Sequence, residues 1–152
     1  AQNRRHTLAW VAAQILLHGE KHAACFVKEF VDQLCHPKND PAERKAILIE
    51  EEPLILPDSW RNVFLAGLAE MIAQEEGIPV PEWANQPIRF LDSPLIFGGS
   101  ESSQQLAIAA TPHAFARRNL FCGEVRLVTH RWALLRAKGF QAGKTEREID
   151  MT

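Results

Sequence analysis

Along most of this chain, apolar residues recur three and four positions apart. Glycine or proline separates the segments that show this spacing. One face of residues 4–17 carries Leu8, Val11, Ala12, Ile15 and Leu16. This spacing is typical of an amphipathic helix that packs on a core. The same rule predicts helices over residues 20–35, 41–51, 60–76, 104–110, 112–118 and 124–138. We therefore predict an all-α fold, a compact single-domain bundle of about six helices.

Residues that favour helix starts precede several of these segments. Side chains of Ser, Thr, Asp and Asn accept hydrogen bonds from the first helical N–H groups, and proline suits the first helical position. The expected N-caps of the third to sixth helices are Asp40, Asp58 or Ser59, Ser102 or Ser103, and Thr111. Residues 120–122 are predicted to form a short strand or an extended link.

Residues 78–97, here called the connector, join two helical segments and contain four prolines. Proline fixes φ, removes a backbone donor and disfavours helix in the preceding residue, so the connector is extended or turning. Each large apolar side chain that is buried contributes roughly 1.5–3 kcal/mol. We therefore predict that this Pro/aromatic-rich connector is ordered and packs along the helices through Trp83, Phe90, Leu91, Leu95, Ile96 and Phe97.

The chain has 152 residues, of which 46% are hydrophobic, and this suits one domain of about 100–150 residues. We expect a single helical domain over residues 1–140 and a charged, disordered tail over 141–152. The longest apolar runs, at 8–17 and 63–69, are shorter than the roughly 18 residues that cross a bilayer, so no membrane-spanning helix is predicted. Three cysteines do not make a disulfide framework, which favours a cytoplasmic location.

Charge is distributed unevenly along the chain. Residues 42–82 contain nine acidic and three basic residues, a local charge of −6. Residues 111–140 contain six basic residues and one acidic residue, a local charge of +5. Such asymmetry can mark a surface for nucleic acid or for an acidic partner. The alternative is that the two regions neutralise one another within the fold.

Histidine and cysteine offer one weak metal site. His18, His22 and Cys25 are four and three residues apart, so a helix would project them from one face. Cys35 or His36 could complete a tetrahedral zinc site. A glycine interrupts this segment, and free cysteines are more often buried thiols than ligands. We therefore predict no cofactor and no resident metal.

Thiol chemistry is a second enzymatic alternative. It would need a thiolate beside a positioned base, and Cys25, Cys35 or Cys122 could each be paired with one of six histidines. No local signature of a cysteine nucleophile is present. The Gly98-Gly99 pair also lacks the Lys-Ser/Thr that follows in a phosphate-binding loop. The sequence does not predict an enzyme.

The best candidate for a binding surface is residues 111–121, TPHAFARRNLF. Arginine binds phosphate or carboxylate through paired hydrogen bonds. Neighbours on a helix diverge by about 100°, so one of Arg117 and Arg118 can instead be structural and pair with the acidic third or fourth helix. A nucleic-acid-binding accessory protein would use Arg117, Arg118, Arg126 and Arg131.

Five segments together resemble a known family: FVKEFVDQL, AERKAILIEEEPLI, WRNVFLAGLAEMIAQEEGIPVPEW, RFLDSPLIF and TPHAFARRNLF. The family consists of small helical bacterial proteins that are often fused behind a helix-turn-helix domain. They are encoded beside nucleotidyltransferase-type toxins and are regarded as antitoxins. The resemblance covers residues 26–121 and is densest at Pro81, Trp83, Phe90, Phe115, Arg117, Arg118 and Phe121.

The resemblance implies a non-enzymatic protein that neutralises a nucleotidyltransferase-type toxin by direct contact. Residues 1–25 depart from the family pattern, because no basic recognition helix follows the first predicted turn. DNA binding by that segment is therefore not expected, and the sequence does not predict an oligomeric state. The candidate partner-binding residues are Trp83, Phe90, His113, Phe115, Arg117, Arg118 and Phe121.

Overall fold

The computed structural model describes residues 6–127, in which six α-helices and two short strands follow one another along the chain. The helices are α1 (Leu8–His18), α2 (Ala23–Cys35), α3 (Ala42–Glu50), α4 (Ser59–Glu76), α5 (Glu101–Ala110) and α6 (His113–Ala116). The strands are β1 (Leu95–Ile96) and β2 (Leu120–Phe121), and 3₁₀ turns cover Glu20–His22, Pro37–Asn39, Glu82–Asn85 and Pro87–Arg89. The prediction of an all-α fold is confirmed.

Helix α4 is the centre of this fold. It packs against α3, α6, β2 and both turns of the connector, so most residues in its middle are buried. Gly77, in the left-handed conformation at φ 67°, ends it as predicted. The side chains that α4 buries include Asn62, Val63, Leu65, Leu68, Glu70 and Ile72.

Gly67 allows the closest approach of another element to α4. A Cβ atom at this position would overlap the ring of Phe115 on α6, which is completely buried. Phe115 also packs on Phe64, with ring centroids 5.4 Å apart. Glycine normally weakens a helix interior, and here its missing side chain is the space that Phe115 fills.

Helices α1 and α2 pack against each other beside α4. Thr7 is the N-cap of α1 and accepts a hydrogen bond from the Trp10 amide over 3.0 Å. Because this cap precedes Leu8, the helix begins there and not at residue 4. The edge of the Trp10 ring meets Phe26 of α2, with centroids 5.8 Å apart.

Several predicted caps move by one to three residues. Helix α3 has Pro41, not Asp40, at its N-cap, and α4 has Asp58 there, one of the two predicted alternatives. Ser100 caps α5 in a reciprocal arrangement with Ser103, so that helix begins earlier than predicted. Thr111 ends α5 and does not cap α6, because its hydroxyl donates to the Ala107 carbonyl.

The two strands form a short parallel pair that joins the connector to the end of the described chain. Leu95 pairs with Leu120 and Ile96 with Phe121, so the predicted extended segment at 120–122 is a strand over its first two residues. Residues 122–127 are neither helix nor strand, and the predicted helix 124–138 therefore does not begin at Glu124. Its remainder and the predicted tail 141–152 lie outside the described residues.

In residues 6–127, no helix combines the length and the apolar character that crossing a bilayer requires.

Candidate functional site

A buried ion pair joins α4 to the residues after α6. Arg118 Nη2 donates to Glu70 Oε1 over 2.7 Å, and the two side chains are 0% and 3% exposed. The other oxygen, Glu70 Oε2, lies 3.3 Å from Arg117 Nε and accepts from Gln74 Nε2 over 3.3 Å. One acidic residue of the fourth helix therefore pairs with both of the adjacent arginines.

Arg118 also binds the connector. Its Nη1 donates to the carbonyls of Ala84 over 2.7 Å and Arg89 over 3.2 Å. Its guanidinium lies 4.4 Å from the centroid of the Phe90 ring, a cation–π contact. Burial lowers the pKa of Arg118 and the Glu70 carboxylate opposes that shift, while the nearby Arg117 adds to it. A buried charge needs such partners to be tolerated in the core.

Arg89 is a second fully buried arginine, and it holds the connector to the segment before α4. Its Nη2 donates to the Pro53 carbonyl over 2.8 Å, and its Nη1 donates to the Asn62 carbonyl over 3.3 Å. The guanidinium lies 4.9 Å from the centroid of the Trp83 ring. Burial lowers the pKa of Arg89, Glu52 opposes this, and Arg118 lowers it further.

Neutral side chains complete this buried polar network. Asn62 Oδ1 accepts from the Leu56 amide over 2.7 Å, and its Nδ2 donates to the Leu56 carbonyl over 3.0 Å. Trp83 Nε1 donates to the Ile49 carbonyl over 3.0 Å. Asn119 Nδ2 donates to the Leu91 carbonyl over 2.8 Å. The connector is therefore anchored along its length, which confirms the prediction that it is ordered. The prediction that Leu95 packs along the helices was wrong, because its side chain is 38% exposed.

The outer side of the anchored connector forms a shallow groove of about 650 Å³, here called the connector groove. It is lined by Ser59 at the start of α4 and by residues 87–95 except the buried Arg89. Ile88 and Leu95 are 46% and 38% exposed, and Phe90 and Leu91 are half-buried beside them. Scattered apolar residues are normal on a surface, but neighbouring ones often mark an interaction site.

The structure separates the predicted partner-binding residues into buried and accessible ones. Trp83, Phe115 and Arg118 are 6%, 0% and 0% exposed, so they are structural in this fold and do not present a surface. This corrects their assignment as contact residues, because a partner cannot reach them without rearrangement. The accessible members are His113 and Arg117, which are exposed, and Phe90 and Phe121, which are half-buried.

Of the four arginines of the nucleic-acid alternative, the three that lie within residues 6–127 each pair with a carboxylate of the chain. Arg118 is buried on Glu70, and Arg117 is paired with the same carboxylate. Arg126 is exposed and binds Glu124 over 2.9 Å. Arg131 lies outside the described residues. The arginines of this set that the structure describes are therefore engaged with carboxylates of the chain itself.

The metal alternative has no assembled site in the described part of the chain, and the three thiols of the thiol alternative differ in exposure. Within residues 6–127, no group of three His, Cys, Asp or Glu side chains is placed to hold a metal ion, which corrects the candidate set of His18, His22 and Cys25. Cys35 is buried and donates to the Leu127 carbonyl over 2.7 Å. Burial raises the pKa of the Cys122 thiol, which is opposite to the activation that a nucleophile requires.

Glu70, Arg89 and Asn62 are central to the site and were not singled out from the sequence. A signal was present for Glu70 and Asn62, since they directly flank the apolar run 63–69 of α4. Polar residues at core positions are retained when they have partners. For Arg89 the sequence offered no comparable signal, because it lies in an irregular segment without periodicity.

The chain was compared with known protein families, with curated proteins and with solved structures. No match was found in any of the three comparisons.

Proposed function

We propose that this chain is a protein-binding module whose connector groove contacts a partner protein. The observation that carries the proposal is that buried arginines fix the connector while Ile88 and Leu95 remain exposed on it. A surface that is already rigid loses less conformational entropy when it binds. The half-exposed Arg117, whose guanidinium lies 5.2 Å from the Phe90 ring centroid, adds a cation at the edge of the groove.

The partner we propose is a nucleotidyltransferase-type toxin, which this chain neutralises by direct contact. Support comes from the resemblance of residues 26–121 to antitoxin-like proteins, since part of that resemblance falls on the connector itself. Phe90 belongs both to the lining of the connector groove and to the residues at which the resemblance is densest. Neutralisation by contact needs only a stable interface. It needs no catalytic group on the chain.

The test is affinity capture with the tagged full chain from its source cells, followed by quantitative mass spectrometry. We expect a nucleotidyltransferase-like protein in near-equal amount to the bait. The double variant Ile88→Glu/Leu95→Glu should lose it, because it places charge in the apolar part of the groove. The matched control is Leu106→Glu/Ile108→Glu on α5, whose side chains are 71% and 45% exposed. Recovery of no such protein, or equal recovery with both double variants, would contradict the proposal.

A further inference from the structure

An apolar cleft of about 610 Å³ lies between α2, the start of α4 and the segment after β2. Ligand pockets in proteins typically enclose about 300–1,000 Å³, and most of their lining is apolar with a few polar groups. The cleft shares no lining residue with the connector groove, so the proposed function does not use it. We call it the α2 cleft.

The interior of the α2 cleft is apolar and partly aromatic. Ile15, Leu56 and Leu65 line it and are at most 4% exposed, so they form its floor. Trp60 and Phe97 line it as well, and their rings meet edge to face with centroids 5.3 Å apart. An aliphatic chain that enters this space leaves water, which favours binding. The interior therefore suits the aliphatic part of a ligand.

Two lysines lie at the α2 side of the cleft without an acidic partner. Lys21 is in the 3₁₀ turn before α2 and Lys28 is on α2, and both line the cleft and are exposed. In the part of the chain that the structure describes, neither side chain forms an ion pair. Lysine carries a compact charge on a flexible stem, so it can meet an anionic group that enters the cleft.

The acidic side chains of the cleft do not neutralise these lysines. Glu124 is bound over 2.9 Å to Arg126, which is not part of the lining. Glu20 forms a hydrogen bond with Asp58, and this bond raises the pKa of Glu20. The lining contains three basic side chains and these two acidic ones. A net positive charge therefore remains at the cleft.

Arg61 independently indicates that the cleft accommodates a hydrogen-bond acceptor. It lines the cleft, and its guanidinium lies 4.4 Å from the centroid of the Trp60 ring. Its Nε is buried and has no hydrogen-bond partner among residues 6–127, although Asp58 Oδ2 lies 3.5 Å away. Arg89 and Arg118 also leave Nε unpaired, but both donate through their Nη atoms. Buried donors normally have a partner, so an acceptor on a ligand would complete Arg61.

We propose that the α2 cleft binds a fatty acid, with its carboxylate at the basic rim and its aliphatic chain in the apolar interior. The chain supplies most of the affinity, because exposed charge pairs contribute only modestly. Lys21, Lys28 and Arg61 decide the sign of the head group, since a cationic head would be repelled by them. This ligand site is separate from the protein-binding surface, and the inference does not depend on the proposed function.

The test is a titration of the isotope-labelled full chain with sodium decanoate, followed by NMR. We expect the largest chemical-shift changes at the Trp60 indole N–H and at the amides of residues 21–28. Decanoate should also slow the alkylation of Cys122, which lines the cleft. Decyltrimethylammonium, which carries a cationic head on a chain of similar length, should bind about fivefold or more weakly.

Two double variants test the basic rim. Lys21→Gln/Lys28→Gln should bind decanoate about fivefold more weakly, since it removes two uncompensated charges. Lys38→Gln/Arg44→Gln removes the same charge from exposed positions outside the cleft and should bind decanoate like the parent.

The variant Ala24→Trp tests the interior. Ala24 lines the cleft and is exposed, so an indole there should fill the cleft without entering the core. Decanoate binding should be lost while urea denaturation shows an unchanged stability. Equal binding of the two amphiphiles, equal binding by the two double variants, or normal binding by Ala24→Trp would overturn the inference. Shift changes confined to residues 88–95 would overturn it as well, and none of these results bears on toxin capture.

Discussion

Arg118 donates to Glu70 across 48 positions of the sequence, and both side chains are almost completely buried. The same guanidinium reaches two carbonyls of the connector. One arginine therefore holds together three parts of the chain: the central helix, the connector and the segment that follows α6. The connector groove depends on this arrangement, since it is the outer side of the segment that Arg118 anchors.

The first prediction concerns the buried ion pair. Glu70→Gln should lower the free energy of unfolding by about 3–5 kcal/mol, because it leaves a buried guanidinium without its carboxylate. Glu70→Gln/Arg118→Met should recover more than half of that loss. Urea denaturation measures both. Arg126→Ala, which breaks an exposed pair, should cost no more than about 1 kcal/mol. A small effect of Glu70→Gln would show that the carbonyls alone satisfy Arg118.

The second prediction concerns the contact between α4 and α6. Gly67→Ala should destabilise the fold by about 1–3 kcal/mol, because the new methyl group overlaps the Phe115 ring. In a Phe115→Leu background the same change should cost about 1 kcal/mol less, since the smaller side chain leaves room. A double-mutant cycle by urea denaturation measures this coupling. Strict additivity would mean that the ring moves aside without cost.

The third prediction concerns thiol reactivity. Cys25 is exposed, Cys122 is half-buried and Cys35 is buried, so alkylation should proceed in that order. Burial raises the pKa of Cys122, so its rate should still be increasing at a pH where an ordinary exposed thiol has reached its plateau. Timed alkylation with peptide mass mapping measures all three rates. Fast alkylation of Cys122 near neutral pH would contradict the environment described for it.

The fourth prediction concerns Glu75, near the end of α4. Desolvation and the adjacent Glu76 raise its pKa above the ordinary value of 4.5. An acid with a raised pKa in the folded state binds protons more readily there than in the unfolded state, so its ionised form opposes folding. Glu75→Gln should therefore stabilise the fold at pH 7, and the gain should disappear as the pH falls below 4.5.

Urea denaturation at several pH values measures the Glu75 effect, and Glu76→Gln provides its control. Removing Glu76 relieves part of the same repulsion, so the double variant should gain less than the sum of the two single variants. A gain from Glu75→Gln that stays constant from pH 7 to below 4.5 would contradict the raised pKa.

The local elements of this protein could be predicted from the sequence, because they depend on neighbours a few residues apart. The apolar spacing of α1, α2 and α4, and the chain breaks at Gly19 and Gly77, gave helices that the structure contains. The order of the connector also followed from its sequence, since most of its aromatic side chains are too apolar to remain in water, although the aliphatic Ile88 and Leu95 are exposed. Cap positions were less accurate, because several adjacent residues can cap the same helix.

Only the tertiary structure decided which polar side chains are buried and which side of the connector faces outward. The sequence left open whether one of Arg117 and Arg118 is structural, and packing placed Arg118 inside and Arg117 at the surface. Arg89 reaches Pro53 over 36 positions, and Trp83 reaches Ile49 over 34. Periodicity reports only on neighbours along one element, whereas these pairings arise when separate elements pack and bring most buried polar groups to a partner.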